Sequence, residues 1–112
     1  MKELKKKLKQ FTIERNWEQF HSPKNLAIGI STEASELLEI FMWLSDDESR
    51  CPTPKQLAKI REEVGDITIN LVNFCSKFGI DPIECANHKI EINRQKYPVE
   101  KAFGNARKYD ED

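Results

Sequence analysis

Two helical segments of this chain place carboxylates where a helix normally buries apolar side chains. The first is the run NLAIGISTEASELLEIFMWL, which starts at residue 25. Residues of a helix advance by about 100° each, and on this wheel Glu33 falls roughly 20° from Leu26, inside the apolar stripe. Glu36 lies at the edge of the stripe, and Glu39 points further round toward solvent. An isolated buried carboxylate is very unfavourable, so Glu33 needs a cation, a partner base or a proton.

The segment REEVGDITIN repeats this arrangement on a later helical pattern. Glu63 lies at the edge of an apolar stripe that includes Phe74, and Asp66 and Asn70 follow it along the same flank. Packed side by side, the two helices would crowd four carboxylates together, which like charges oppose unless something compensates. No lysine or arginine interrupts the two faces. An all-oxygen site without histidine or cysteine favours Mg²⁺ or Mn²⁺.

Two other interpretations of the acids have to be weighed. A di-iron bundle would require Glu-x-x-His on two helices, and neither helix offers it. A single pair of acids at this spacing is usually a solvated stripe on a helix surface. The chain could therefore be a non-enzymatic helical interaction module whose acidic stripe docks a basic partner. Such a stripe would be exposed and would leave the apolar face clean, so the position of Glu33 separates the two hypotheses.

The rest of the chain predicts an all-α fold, a four-helix bundle. Strand-like alternation is nearly absent, and prolines directly follow capping residues at Ser22, Thr53 and Asp81. We expect helices over about 2–15, 22–44, 54–78 and 81–97, with Gly79 ending the third. The segment SDDESRCPTP is predicted to be a polar loop, and the tail from about residue 104 to 112 to be poorly ordered unless bound.

Length and charge limit the possible partners and the compartment. At 112 residues, 1–112 is expected to form a single domain. A formal net charge of −1 calls for neither a nucleic acid polymer nor a membrane. No apolar run approaches the roughly 20 residues of a membrane span. The three cysteines form no CxxC pair, which predicts reduced thiols in a cytoplasmic protein.

The order of these motifs resembles the MazG-type nucleotide pyrophosphohydrolases. Glu33, Glu36, Glu63 and Asp66 have the spacing of that family's acids, and NWEQFHSPKNLA, EIFMW, EEVGDI and NRQKYP look like its dCTP pyrophosphatase branch. The resemblance implies that the four acids bind Mg²⁺ and are catalytic. It implies hydrolysis of dCTP, or of a modified dCTP, between the α- and β-phosphates, giving the monophosphate and pyrophosphate in a nucleotide-cleaning role. It also implies homo-oligomers, in which dimers pair into tetramers with sites shared between chains.

The same resemblance indicates the residues that bind substrate. The nucleoside pocket is expected to involve Trp17, Gln19, Phe20, His21, Trp43 and Asn70. Near the phosphates we expect Lys89, Asn93 and Tyr97, and Lys108 could fold over the site. Asn70 stands where the dCTP branch has a tyrosine, and Leu8 where it has a histidine. Base preference is therefore open between dCTP and another dNTP, such as dUTP or a damaged purine nucleotide.

Overall fold

The computed structural model describes residues 1–107, and this part of the chain is all-helical, without a strand. The α-helices are α1 (Lys2–Glu14), α2 (Pro23–Phe41), α3 (Asp46–Arg50), α4 (Pro54–Ser76), α5 (Pro82–Lys96) and α6 (Val99–Ala102). A 3-10 turn over Glu18–Phe20 connects α1 to α2. The predicted all-α class is confirmed. None of the helices in the described range combines the length and the apolar composition needed to cross a membrane.

The starts of the three long helices after α1 are fixed by local hydrogen bonds. The Ser22 hydroxyl accepts a bond from the backbone N–H of Asn25 at 3.1 Å. At Thr53 the bonds are reciprocal, because Thr53 accepts from the Gln56 N–H at 3.1 Å and the Gln56 side chain accepts from the Thr53 N–H at 2.9 Å. Asp81 caps α5. Each such cap stabilises its helix by about 1 kcal/mol. The proline that follows has no N–H, but an N–H at the first helical position would have no partner within the helix anyway.

The segment after α2 differs from the prediction. α2 ends at Phe41, and the predicted polar loop contains the short helix α3. Ser45 starts α3 with a second capping box: its hydroxyl accepts from the Glu48 N–H at 3.1 Å, and the Glu48 carboxylate accepts from the Ser45 N–H at 2.8 Å. Asp46 and Asp47 add negative charge at the positive end of the helix dipole. The loop prediction was therefore wrong for Asp46–Arg50. In the predicted tail, Lys108 lies outside the described residues.

The helices separate into two compact units, Met1–Gly79 and a second unit that starts at Ile80. Within the first unit α2 packs along α4, and α1 also contacts α4. Among the described residues, the buried apolar side chains are Leu8, Leu26, Val72 and Cys75, while many large apolar side chains of this unit stay exposed. Among the described residues, the second unit contains α5 and α6. That both units form one domain stays a prediction.

Gly29 of α2 lies directly against the Asn70 side chain of α4. A Cβ atom added there would stand 2.6 Å from Oδ1 of Asn70, much closer than two non-bonded atoms tolerate. The Asn70 amide in turn donates from Nδ2 to the backbone carbonyl of Asp66 at 3.0 Å. An alanine at position 29 would therefore force the Asn70 amide to move, one turn from Glu33.

Candidate metal centre

The packing of α2 on α4 brings three of the four predicted acids together. Glu33 and Glu36 on α2 and Glu63 on α4 each offer a carboxylate oxygen, and these oxygens all lie within 4.8 Å of one another. Glu63 is 2% exposed, Glu33 is half-buried and Glu36 is exposed. Asp66, one turn further along α4, is exposed and outside this group. We call Glu33, Glu36 and Glu63 the acid cluster.

Two oxygens of the acid cluster are buried without a hydrogen-bond partner. They are Oε2 of Glu33 and Oε2 of Glu63. Buried polar atoms are nearly always paired, so an unpaired carboxylate oxygen calls for a missing partner. Oxygen donors from three carboxylates are the ligands that Mg²⁺ and Mn²⁺ prefer. The residues of this site therefore fit a hard divalent cation.

The acid cluster distributes its charge unevenly. Burial, followed by hydrogen bonds with Glu63 and Glu36 and the charges of Glu36 and Asp66, raises the pKa of Glu33 to about 7. Burial also acts to raise the pKa of Glu63, but hydrogen bonds from Glu33, Lys59 and Glu36 outweigh it and lower the pKa. Glu33 is thus the member that holds a proton near neutrality, and its O–H can donate to the ionised Glu63. A cation that binds here must displace that proton.

A lysine contacts the acid cluster, contrary to the sequence prediction that no cation interrupts these faces. Nζ of Lys59 lies 3.3 Å from Oε1 of Glu63, one turn away on α4. The prediction was wrong because it overlooked that Lys59 lies four residues before Glu63, about 40° away on the helical wheel, where the two side chains are neighbours. A lysine stem is long enough to bring the ammonium to a neighbouring position.

Comparison with known proteins identifies the family of this chain. The sequence pattern that defines the MazG-like family matches residues 28–111, a range that includes all four predicted acids. The chain belongs to the MazG-like family. The family resemblance found in the sequence is thereby confirmed.

Individual proteins similar to this MazG-like chain agree with that assignment. The dCTP pyrophosphatase 1 of Mus musculus is 40% identical over 102 residues, which make up 89% of this chain and 60% of that protein. The Homo sapiens protein of the same name is 38% identical over 104 residues, 91% of this chain and 61% of that one. The chain thus spans about 60% of the length of these curated relatives. The crystal structure of a pyrophosphatase from Archaeoglobus fulgidus superimposes with a TM-score of 0.83 at 42% identity, and the match covers 88% of this chain and 92% of that one.

The predicted nucleoside-pocket residues of this MazG-like protein occupy several segments. Trp17 precedes the 3-10 turn and meets Phe11 edge to face, with ring centroids 5.6 Å apart. Gln19 and Phe20 lie within the turn, and the Gln19 amide donates to the Asn16 carbonyl at 3.0 Å. Trp43 follows α2 and is 88% exposed. Asn70 packs against Gly29, as described above. The structure does not test the pocket that they are predicted to form.

The three predicted phosphate-binding residues belong to the second unit. Lys89 and Asn93 lie on α5, and Tyr97 is its C-terminal capping residue. Asn93 and Tyr97 are half-buried, whereas Lys89 is exposed. Their role in binding phosphate stays a prediction.

A cleft of about 610 Å³ lies between α1, the 3-10 turn and the C-terminal part of α4. Its lining includes Lys5, Lys9, Thr12, His21, Asn73 and Lys77. Of the predicted substrate residues, His21 lines it. Glu18 pairs with Lys77 there, and this hydrogen bond lowers the pKa of Glu18. Sequence reasoning missed the lysines because a single basic residue on a helix carries no signal beyond a solvated face.

Proposed function

We propose that this protein is a nucleoside triphosphate pyrophosphohydrolase that depends on Mg²⁺ or Mn²⁺ and acts on dCTP or a modified dCTP. The pair of buried, unpartnered carboxylate oxygens on Glu33 and Glu63 carries this proposal. A docking stripe would be exposed, whereas Glu33 is half-buried and its partner Glu63 is almost completely buried. The names of the two pyrophosphatase relatives and of the Archaeoglobus fulgidus structure support the reaction class.

The acids of α2 and α4 would share the chemical work. Glu33, Glu36 and Glu63 would hold the cation, and Asp66 would add a ligand from the next turn of α4. The bound cation would polarise phosphoryl oxygens and neutralise charge on the triphosphate. One carboxylate of this set would orient or deprotonate the water that attacks between the α- and β-phosphates. Burial and the neighbouring acids raise the pKa of Glu33 to about 7 in the metal-free protein, so the bound cation would displace the proton that Glu33 holds.

Aromatic faces are available to bind the base of the substrate. Trp43 is almost fully exposed, and Phe20 and Trp17 are also exposed. Stacking on an aromatic ring is worth about 1–3 kcal/mol and discriminates little between bases. Selection among bases is therefore assigned to the polar groups of His21, Gln19 and Asn70. Lys89, Asn93 and Tyr97 are proposed to bind the phosphates.

Exposed apolar side chains favour a homo-oligomer, a dimer or a tetramer. Ile28, Leu38 and Met42 on the α2 segment are each about half exposed, and the first unit buries few large apolar residues. A second copy of the chain would remove such side chains from water, which stabilises by about 25 cal/mol for each Å² buried. Light scattering of the purified protein tests this, and a stable, active monomer would contradict it. None of the three cysteines, all within the described residues, forms a disulfide, in keeping with the proposed cytoplasmic location.

The activity is tested by incubating the protein with each of the four dNTPs and Mg²⁺ and measuring pyrophosphate and monophosphate. We expect release of pyrophosphate from dCTP, and loss of that activity in Glu33→Gln with the fold retained in circular dichroism. Glu39→Gln is the matched control, since Glu39 is an exposed acid on the same helix. Equal activity of the two variants would refute a role for the acid cluster, and no turnover of any dNTP by the wild type would refute the proposed reaction.

A further inference from the structure

Lys59 stands at the edge of the acid cluster with two carboxylates in reach. Its Nζ lies 3.3 Å from Oε1 of the buried Glu63 and 3.8 Å from Oε2 of the exposed Glu62. The lysine side chain itself is 56% exposed. The Lys59 ammonium therefore has two partners, the buried Glu63 of the acid cluster and the solvated Glu62.

The pair of Lys59 and Glu63 does not have the properties of a pair that stabilises a helix. Glutamate is more favourable four residues before lysine than four residues after it, and here the lysine comes first. Fully exposed ion pairs also contribute little to stability. The partner in this case is buried, and its second oxygen has no hydrogen bond. Removing the ammonium would leave the buried Glu63 carboxylate without its positively charged partner, which is costly.

We infer that Lys59 is a positioning residue, a resident counter-cation that holds the Glu63 carboxylate before a divalent cation binds and then yields to it. This inference rests on the proposed function, because it assumes that the acid cluster binds a dication. The ammonium and the dication are both positive, so their repulsion opposes binding while Lys59 stays at Glu63. Glu62 offers the ammonium an alternative partner within the same turn of α4, at 3.8 Å.

Two opposite effects of removing Lys59 follow from this role. Without the ammonium, Glu63 loses its counter-charge, so the metal-free protein should melt a few degrees lower. The dication, in contrast, no longer meets a positive charge, so it should bind about tenfold more tightly, the size of the interaction between a unit charge and a dication a few ångströms apart in water. If Lys59 had a purely structural role, its removal would lower the melting temperature and weaken the binding of the dication together.

The experiment compares wild type, Lys59→Met, Lys59→Arg and Lys55→Met. Lys55 is an exposed lysine one turn earlier on α4, so Lys55→Met controls for the loss of a charge from the helix. Melting temperatures are measured in EDTA by circular dichroism, and the Kd for Mg²⁺ alone is measured by calorimetry. We expect Lys59→Met to lower the melting temperature and to tighten the Kd about tenfold, with Lys59→Arg close to wild type and Lys55→Met changing neither. Glu62→Gln should shift the Kd the other way, because it removes the alternative partner.

Unchanged values in Lys59→Met, a Kd that weakens, or equal effects of Lys59→Met and Lys55→Met would each overturn the role of Lys59. The proposed function would survive these outcomes, since the wild type would still bind Mg²⁺. A wild type that binds no Mg²⁺ would overturn the metal-dependent function and this role together. The melting temperature in EDTA also tests the pairing with Glu63 independently of any metal.

Discussion

Replacing Glu33 by glutamine should stabilise the metal-free protein at high pH. Glutamine has nearly the shape of glutamate and can still donate a hydrogen bond to Glu63, but it carries no charge at any pH. The pKa of Glu33 is raised from 4.5 to about 7 in the folded chain. A carboxyl with a raised pKa contributes stability that is full below 4.5 and is lost as the pH rises through about 7. Above that pH the wild type folds with an unfavourable charge in the cluster, and the variant does not.

The size of the effect follows from the two pKa values. A shift of one pKa unit corresponds to about 1.36 kcal/mol, so at pH 8 the ionised Glu33 costs up to about 3 kcal/mol relative to an uncharged side chain, and water around the half-buried carboxyl reduces this cost by screening. At pH 5 Glu33 is protonated in the folded chain, and the difference falls below about 1 kcal/mol. For a domain of this size the gap at pH 8 corresponds to a rise in melting temperature of up to roughly 10 °C.

The assay is urea unfolding in EDTA at pH 5, 6, 7 and 8, followed by circular dichroism. Glu39→Gln again serves as control, because removing an exposed acid from α2 should leave the pH dependence of the wild type intact. Two results would refute the reasoning: Glu33→Gln no more stable than wild type at pH 8, or an advantage that is the same at pH 5 and pH 8. In either case Glu33 would not be the member of the cluster that holds the proton.

Three further predictions concern the cation, the base and the contact between Gly29 and Asn70. The Kd for Mg²⁺ should weaken about tenfold for each pH unit below about 7, because binding displaces the proton of Glu33; calorimetry in several buffers checks this, and a Kd independent of pH would contradict it. Trp43→Ala should lower kcat/KM about tenfold or more for every accepted dNTP, and unchanged values would assign that ring no role in binding. Gly29→Ala should destabilise by about 1–3 kcal/mol through its clash with Asn70 and should alter the ranking of dNTPs. The control is Gly65→Ala, where an added Cβ meets nothing within 4 Å and helix propensity predicts a gain of about 0.5–1 kcal/mol; equal effects of the two substitutions would contradict the clash.

Local signals and simple geometry predicted much of this structure. The helix starts at Ser22, Thr53 and Asp81 were predictable because a cap and a proline act within four residues. The meeting of Glu33 with Glu63 followed from helical periodicity, since acids inside apolar stripes face each other when the stripes pack. Periodicity could not show how far a side chain reaches.

Other features depended on information that periodicity lacks. Asp66 shares the predicted flank of Glu63 but stays outside the group of closely spaced oxygens. α3 was missed because acids and serines after an apolar run are typical of both loops and helix starts, and only the reciprocal bonds of Ser45 and Glu48 decide between them. The predicted roles of the α5 residues depend on tertiary placement, which no local pattern specifies.

The capping box of α3 has a consequence for the segment that carries Trp43. Between the end of α2 at Phe41 and the cap at Ser45 there are only three residues, and both ends are anchored in helices. Fixing the backbone of one residue costs about 1–2 kcal/mol in conformational entropy. Folding of the chain already orders this segment. A molecule that stacks on the exposed indole therefore loses no free energy to ordering a loose loop. The affinity of such a molecule for Trp43 would therefore be set by the contact itself, and loosening the Ser45 cap would weaken that binding without changing the ring.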